Sequence, residues 1–345
     1  MNVIFVEPFF PSNHRQFARA LAEAGGTVIG IGEYPVDAFD DQLKGWLYHY
    51  EQVRSVTDVQ AMTNAVRWVQ GKLWVDRLEA TVEAHTMAAA PRSGAGASGT
   101  IRVDSVADLD HALGVFGGQG AGSIAVEEFI EGHEGFYDTV TVDGQVALDF
   151  ASHYYPNVLE AMRTRWISPE FISTNRIDSA PEYASLREMG QRVIGALGIG
   201  TSATHMEWFS GPRGLKFSEI GCRPPGVGAW DLYSAGNDLD LYRQWADAIV
   251  HGGTSAPASR RFASGIVALR PSQDGVISGY SGVEELQRQY GEWVIDAHLP
   301  PPGTPTQGVE AGYMANAYVR MRHPDYDTLR GMLDTVGRTL HVYAS

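Results

Sequence analysis

The sequence predicts an α/β protein in which a parallel front layer precedes a longer α+β region. Residues 1–80 alternate short apolar strands with amphipathic helices, the pattern of a parallel sheet covered by helices. Later, two alternating runs flank Asp143-Gly144, a hairpin turn signal. The tail after residue 262 again alternates strands and helices. In 345 residues these observations indicate several subdomains.

The elements can be assigned in order along the chain. The predicted front strands are 2–8, 27–32 and 72–76, with helices at 14–24 and 58–70. The middle is predicted to hold helices at 81–90, 106–116, 185–200 and 238–253, strands at 123–130, 136–155, 205–209 and 215–220, and an irregular stretch at 155–177. After a linker at 253–262, strands are predicted at 264–270, 293–299 and 313–321, with helices at 283–290 and 324–333. We expect domain boundaries at 1–85, 86–150, 151–255 and 256–345.

Composition and charge restrict the kind of partner. A formal net charge of -15 disfavours nucleic acid and anionic membranes, so we expect a small-molecule substrate. No uninterrupted apolar stretch reaches the roughly 18 residues that a membrane helix needs. The single cysteine, Cys222, cannot form an internal disulfide, which fits a reducing compartment, and we predict a cytoplasmic protein. The aromatic-rich helices are compatible with a homodimer.

The stretch "HMEWFSGPRGLKFSEIGCRPPG" (205–226) predicts a hairpin that carries two acids. Strand alternation puts Glu207 and Glu219 on one face, symmetric about the turn. Like charges directly opposite each other destabilise a strand pair, and Mg²⁺ accepts carboxylate oxygens together with phosphate and water. The alternative is a solvated hairpin face with two unrelated glutamates.

Two further stretches suggest nucleotide chemistry. The loop "SGAGASG" (93–99) offers unobstructed backbone N–H groups to phosphate oxygens, although such loops are more often flexible connectors. It is not a P-loop, because no Lys-Ser/Thr follows Gly99. "VEEFIEGHE" (126–134) puts acids at a strand exit, where they can accept from an amino group or a ribose hydroxyl. A charged strand end is the alternative.

Taken in this order, the three pieces resemble the ATP-grasp superfamily over most of the chain. The resemblance implies an ATP-grasp fold with an N-terminal Rossmann-like pre-ATP-grasp domain and a small C-terminal α+β subdomain. It implies ATP and Mg²⁺ (or Mn²⁺) as cofactors, Glu207 and Glu219 as metal ligands, and Arg223 as the arginine that steadies the transferred phosphate. Glu127 would bind the adenine amino group, and Glu134 the ribose hydroxyls. The full set of nucleotide residues implied is Arg92, Ser93, Gly94, Gly96, Ser98, Gly99, Glu127, Glu128, Phe129, Ile130 and Glu134.

The chain departs from the superfamily pattern at two places. Gly221 stands where the metal-site asparagine is expected, so one oxygen ligand is lacking or comes from water or substrate. The phosphate-binding lysines and their strands are also missing, because the alanines before Ala90 run directly into Pro91. Either the nucleotide-binding subdomain is reduced, or a segment is missing from the sequence between these residues. We favour the missing segment, because the helix ends without a stop signal and the rest of the site is retained.

The resemblance implies that a substrate carboxylate takes the γ-phosphate and that an amine then displaces phosphate from the acyl phosphate. The motif texture is most similar to carboxylate–amine ligases that join amino acids or small acids to amines. A phosphotransferase and an inactive ATP-binding or scaffold protein remain alternatives. His205, Arg163 and Arg165 are candidate substrate contacts, against a packed histidine and solvated loop arginines. We expect Cys222 to be inert, since neighbouring acids disfavour its thiolate.

Overall fold

A computed structural model describes residues 1–82, 103–118, 127–309 and 316–345. Within these ranges the helices are α1 (His14–Glu23), α2 (Asp41–Trp46), α3 (Val59–Gln70), α4 (Val106–Gly118), α5 (Val158–Ala161), α6 (Tyr183–Ala196), α7 (Ala229–Asn237), α8 (Leu241–His251), α9 (Val283–Tyr290) and α10 (Tyr326–Thr339). The strands are β1 (Asn2–Val6), β2 (Thr27–Gly32), β3 (His49–Gln52), β4 (Arg77–Glu79), β5 (His133–Val142), β6 (Gln145–Tyr155), β7 (Glu170–Ser173), β8 (Ser202–Gly211), β9 (Gly214–Gly221), β10 (Ala263–Leu269), β11 (Ile277–Ser281), β12 (Val294–His298), β13 (Ala317–His323) and β14 (His341–Ala344).

The front of the chain forms a parallel sheet with the strand order β3-β2-β1-β4. Strands β1 and β2 are almost entirely buried, as expected of parallel strands covered on both faces. Helix α3 begins where the Asp58 side chain accepts from the N–H groups of Gln60 and Ala61, a standard N-cap. The Rossmann-like front layer is therefore confirmed.

In the described part of the chain, eight further strands form an antiparallel sheet in the order β12-β13-β10-β7-β6-β5-β8-β9. The predicted turn Asp143-Gly144 joins β5 to β6, and both residues have a positive φ (49° and 81°), as a two-residue hairpin turn requires. Strands β11 and β14 form a separate pair near the end of the chain. Because β10, β12 and β13 extend the sheet that begins with β5, the sheet crosses the predicted boundary at residue 255. The domain boundaries themselves stay predictions.

Three local predictions were wrong. Residues 72–76 are not a strand, because Asn2 holds the backbone at Trp74 and the carboxylate of Asp76, and pairing with β1 starts only at Arg77. Of the predicted strand 123–130, residues 127–130 are described, and they do not form a β-strand. The irregular stretch 155–177 contains the buried strand β7, which lies between β6 and β10. Helices α2, α5 and α7 and strands β3, β11 and β14 were not predicted.

The front layer packs through α1 on helices α7 and α8, with aromatic side chains at the contact. Phe17 of α1 lies with its ring centroid 5.0 Å from Trp230, 4.8 Å from Tyr242 and 5.2 Å from Trp245. All four side chains are buried, and they belong to one apolar core that continues into β5 and β6. No helix in the described part of the chain is long and apolar enough to span a membrane.

Candidate active site

One face of the large sheet collects the acids that the motifs singled out. Phe136 of β5 pairs with Glu207 of β8, and two residues earlier in β5 Glu134 points to the same face. Two separate motifs, "VEEFIEGHE" and the hairpin at 205–226 that carries Glu207 and Glu219, therefore meet on neighbouring strands. Sequence patterns alone could not show this, because the β5–β8 pairing joins residues about 70 positions apart.

A β-bulge places the second hairpin acid. Met206 pairs with Ile220 and Trp208 with Phe217, so Ser218 and Glu219 together face Glu207. Glu207 and Glu219 thus lie across the hairpin from each other, as predicted, although β9 contains one extra residue at this point. Glu207 is half-buried and Glu219 is exposed.

Glu134 lies near Glu207 and Glu219 and is held by the backbone. Its Oε2 accepts a 2.7 Å hydrogen bond from the N–H of Val158, at the start of α5. The pKa of Glu134 is raised to about 8, first by burial and then by the negative charge of Glu207, with a smaller effect of Glu219. The charges of Glu207 and Glu219 disfavour ionisation of Glu134, and a bound cation would relieve this concentration of negative charge.

The donor set fits a divalent cation shared with another ligand. Among the described residues, no group of three or more His, Cys, Asp or Glu side chains could hold a metal ion. Mg²⁺ is usually bound by one or two carboxylates, with phosphate and water in the remaining positions. Glu207 and Glu219 are suited to that role, and their assignment as metal ligands stays a prediction.

The predicted nucleoside segment lies against the β8–β9 turn. Arg213 in this turn forms an ion pair with Glu128 and donates a 3.2 Å hydrogen bond to the carbonyl of Phe129. Gly132 and Gly211 allow the two backbones to touch, since a Cβ at Gly132 would lie 2.5 Å from the carbonyl oxygen of Ser210. Glu127, Glu128 and Phe129 are exposed at this edge and Ile130 is half-buried.

Arg223 occupies the space beside Gly221. A Cβ at Gly221 would lie 3.3 Å from Cγ of Arg223, and the guanidinium donates a 2.9 Å hydrogen bond to the carbonyl of Pro224. An asparagine at 221 would therefore crowd this arginine. The glycine at 221, which departs from the expected motif, and Arg223, which matches it, are therefore physically linked, because the arginine fills the space beside the glycine.

The three predicted substrate contacts are dispersed. Arg165 forms an ion pair with Asp274 through two hydrogen bonds of 2.9 and 2.5 Å, and Arg163 is exposed in the same loop. His205 does share the face of Glu207, but it is buried and both ring nitrogens lie near carboxylates. The structure does not bring these residues together as one substrate-binding group.

Three residues near Glu207 were not predicted from the sequence. Asp138 is buried and accepts from His205 and Tyr233, while the hydroxyl of Tyr154 lies 3.4 Å from Oε1 of Glu207. Burial by itself lowers the pKa of His205, but the Asp138 carboxylate and Glu207 raise it more, to about 9. An aspartate at a core position of β5 was the only available signal in the sequence.

Part of the predicted site lies outside the described residues. This concerns the junction of Ala90 with Pro91 and the phosphate-binding loop, whose predicted residues are Arg92, Ser93, Gly94, Gly96, Ser98 and Gly99. Their assignments stay predictions.

Comparison with known proteins gives a match in structure but none in sequence. No family model and no curated protein matches the chain. An L-amino acid ligase from Bacillus licheniformis has a TM-score of 0.69 at 14% identity, covering 100% of this chain and 98% of that one. Phosphoribosylglycinamide synthetase from Anaerococcus prevotii has a TM-score of 0.64 at 10% identity, covering 100% and 99%. N5-carboxyaminoimidazole synthetase from Staphylococcus aureus, solved with ADP, has a TM-score of 0.51 at 12% identity, covering 97% and 96%.

These solved structures are ATP-grasp ligases and synthetases, and the likeness extends over nearly the full length of each chain. The front parallel sheet and the large antiparallel sheet take part in it together. The chain therefore has the ATP-grasp fold.

Proposed function

We propose that this protein is an ATP- and Mg²⁺-dependent ligase that joins a small carboxylic acid or amino acid to an amine. The observation that carries the proposal is the meeting of Glu134, Glu207 and Glu219 on one sheet face of an ATP-grasp fold. The full-length likeness to a protein described as an L-amino acid ligase supports the choice of substrate class.

In the proposed reaction, a carboxylate oxygen of the acid attacks the γ-phosphorus of ATP. The bond to the β,γ-bridging oxygen breaks, so ADP leaves and an acyl phosphate forms. The amine nitrogen then attacks the acyl carbon, phosphate leaves with the bonding electrons, and the nitrogen gives up a proton.

The chain's own residues would supply binding and charge. Glu207 and Glu219 would hold Mg²⁺, and Arg223 would steady the phosphate that is transferred. A bound Mg²⁺ neutralises phosphate charge, which is the main electrostatic requirement of phosphoryl transfer. Glu127 and Glu134 are the proposed contacts to adenine and ribose.

ADP release measured with single amino acids and with pairs tests this function. A ligase releases ADP and phosphate only when both an acid and an amine are present. ADP with a stable phosphorylated acid and no need for an amine would instead indicate a phosphotransferase. ATP binding without any turnover would indicate an inactive nucleotide-binding protein, an outcome that the missing lysines would explain.

A separate variant tests the assignment of Glu219 as a metal ligand. We expect Glu219→Gln to lower the rate of ADP release at least a hundredfold, because one of two metal carboxylates is lost. Glu188→Gln, which removes an exposed charge from α6, is the matched control and should release ADP at the parent rate. Full activity of Glu219→Gln would contradict the assignment of Glu219 as a metal ligand. It would not contradict the ATP-grasp fold.

A further inference from the structure

A buried hydrogen-bonded chain lies on the same sheet face as Glu207, next to it along the β5–β8 ladder. Asp138 of β5 is 1% exposed and pairs in register with His205 of β8. Its Oδ1 lies 2.6 Å from Nδ1 of His205, and its Oδ2 accepts from the hydroxyl of Tyr233. Tyr233 is itself fully buried on α7. The nucleotide and metal motifs do not account for this aspartate.

The chain continues from His205 to Glu207. Nε2 of His205 lies 3.5 Å from Oε1 of Glu207, and the hydroxyl of Tyr154 lies 3.4 Å from the same oxygen. Two donors from different strands thus approach one carboxylate oxygen. Such contacts restrict the rotation of the carboxyl group.

The sheet register makes this arrangement rigid. Asp138 faces His205 and Phe136 faces Glu207 on consecutive same-face positions of the β5–β8 ladder, so the spacing is set by backbone pairing. Phe136 packs edge-on against the His205 ring, with centroids 5.2 Å apart. The imidazole is held from three sides before any ligand is bound.

We propose that Asp138 and His205 are positioning residues that orient the Glu207 carboxylate toward a divalent cation. The proposal rests on the proposed function, since it takes Glu207 as a metal ligand. Asp138 fixes the rotation of the imidazole, and the imidazole fixes Glu207. Hydrogen-bonded groups behind a metal ligand commonly change metal affinity by about 10–100-fold when they are removed.

Mn²⁺ affinity in the presence of ADP, measured by electron paramagnetic resonance, tests the proposal on the full chain. We expect Asp138→Asn and His205→Gln each to weaken Mn²⁺ binding by about 10–100-fold. The double variant should bind no more weakly than the worse single variant, because both changes interrupt the same chain. Tyr233→Phe, which removes one donor to Asp138 and keeps the ring, should give a smaller loss.

Thr139→Val is the matched control. Thr139 and Thr204 share a buried 2.7 Å hydrogen bond next to Asp138 and His205 in sequence, but on the opposite face of the same strands. This variant should lower the melting temperature and leave Mn²⁺ affinity unchanged. If His205→Gln and Tyr233→Phe, like Thr139→Val, leave Mn²⁺ affinity unchanged, then Asp138 and His205 do not position Glu207.

Glu207→Gln separates this proposal from the proposed function. Loss of Mn²⁺ binding in Glu207→Gln, with parent affinity in Asp138→Asn and His205→Gln, would overturn the positioning role and keep the metal site. Parent affinity in Glu207→Gln would overturn the metal assignment itself. Weakened binding in all three variants, but not in Thr139→Val, would support both.

Discussion

At the scale of single residues, two buried glutamates of the large sheet differ in what surrounds them. Glu134 faces the carboxylates of the candidate active site, and Glu170 of β7 lies on the far side of β6. The pKa of Glu170 is raised to about 9, first by burial and then by the charge of Asp334, while Arg330 and Arg338 lower it. Glu170 therefore enters the folded state in its protonated form at neutral pH.

We predict that Glu170→Gln gains stability relative to the parent as the pH rises from about 5 to 9. Over this range the unfolded chain has lost the Glu170 proton and the folded chain keeps it, so higher pH favours unfolding of the parent. The difference in free energy of unfolding should change by up to ~1.4 kcal/mol per pH unit. Urea unfolding at pH 5, 7 and 9 measures it.

Glu284→Gln, an exposed change on α9, controls for the loss of one charge. A pH dependence of Glu170→Gln equal to that of Glu284→Gln would show that Glu170 ionises normally in the folded protein.

Residue types with a local pattern could be predicted from the sequence, and residues that depend on distant partners could not. Glu207 and Glu219 were recognisable because one turn relates them. Asp138 was not, since its meaning depends on His205, 67 positions later, and on the hydroxyl of Tyr233. Burial and long-range register, which decide the role of a polar side chain, are properties of the folded sheet.

At the scale of elements, turn chemistry made the hairpins predictable. The β5–β6 and β8–β9 pairs follow from short Gly-containing turns, whereas β7 pairs with β6 across the irregular stretch 156–169 and with the distant strand β10. The bulge in β9 was also unpredictable, because nothing in the turn or in the strand alternation signals an extra residue between Phe217 and Ile220. Local signals therefore identify an element but leave its exact register open.

Gly135 of β5 should tolerate no side chain, because strand β5 passes under Trp208 at this point. A Cβ here would lie 2.4 Å from the carbonyl oxygen of Ser152 and 2.4 Å from the Trp208 ring. We expect Gly135→Ala to destabilise the protein by about 1–3 kcal/mol through overpacking. Gly279→Ala in β11 is the control, since its Cβ would meet open space.

Equilibrium urea unfolding of both alanine variants measures this difference. Equal midpoints would mean that β5 and Trp208 can move apart at little cost, against the tight packing described for this part of the sheet.

At the scale of the whole molecule, the front layer is joined to the ATP-grasp sheets by a continuous core. Helix α1 packs its buried face on α8, and the aromatic contacts of Phe17 extend this packing to α7. Helix α7 begins at Ala229, shortly after the "RPPG" stretch (223–226) that contains Arg223. The packing between the front layer and the large sheet thus supports a segment of the candidate active site.

We therefore predict that Phe17→Ala destabilises the entire chain and not only the front layer. Deleting a buried phenylalanine typically costs about 3–5 kcal/mol, and here the cavity would open between α1 and the rings of Trp230 and Trp245. Tryptophan fluorescence and far-UV circular dichroism should report the same, lowered urea midpoint, as expected of one cooperative unit. Phe10→Ala, a change at a ring that is 57% exposed, is the control and should stay close to the parent. Two separate transitions in Phe17→Ala, with only the first one lowered, would show instead that the front layer unfolds independently of the sheet that carries Glu134 and Glu207.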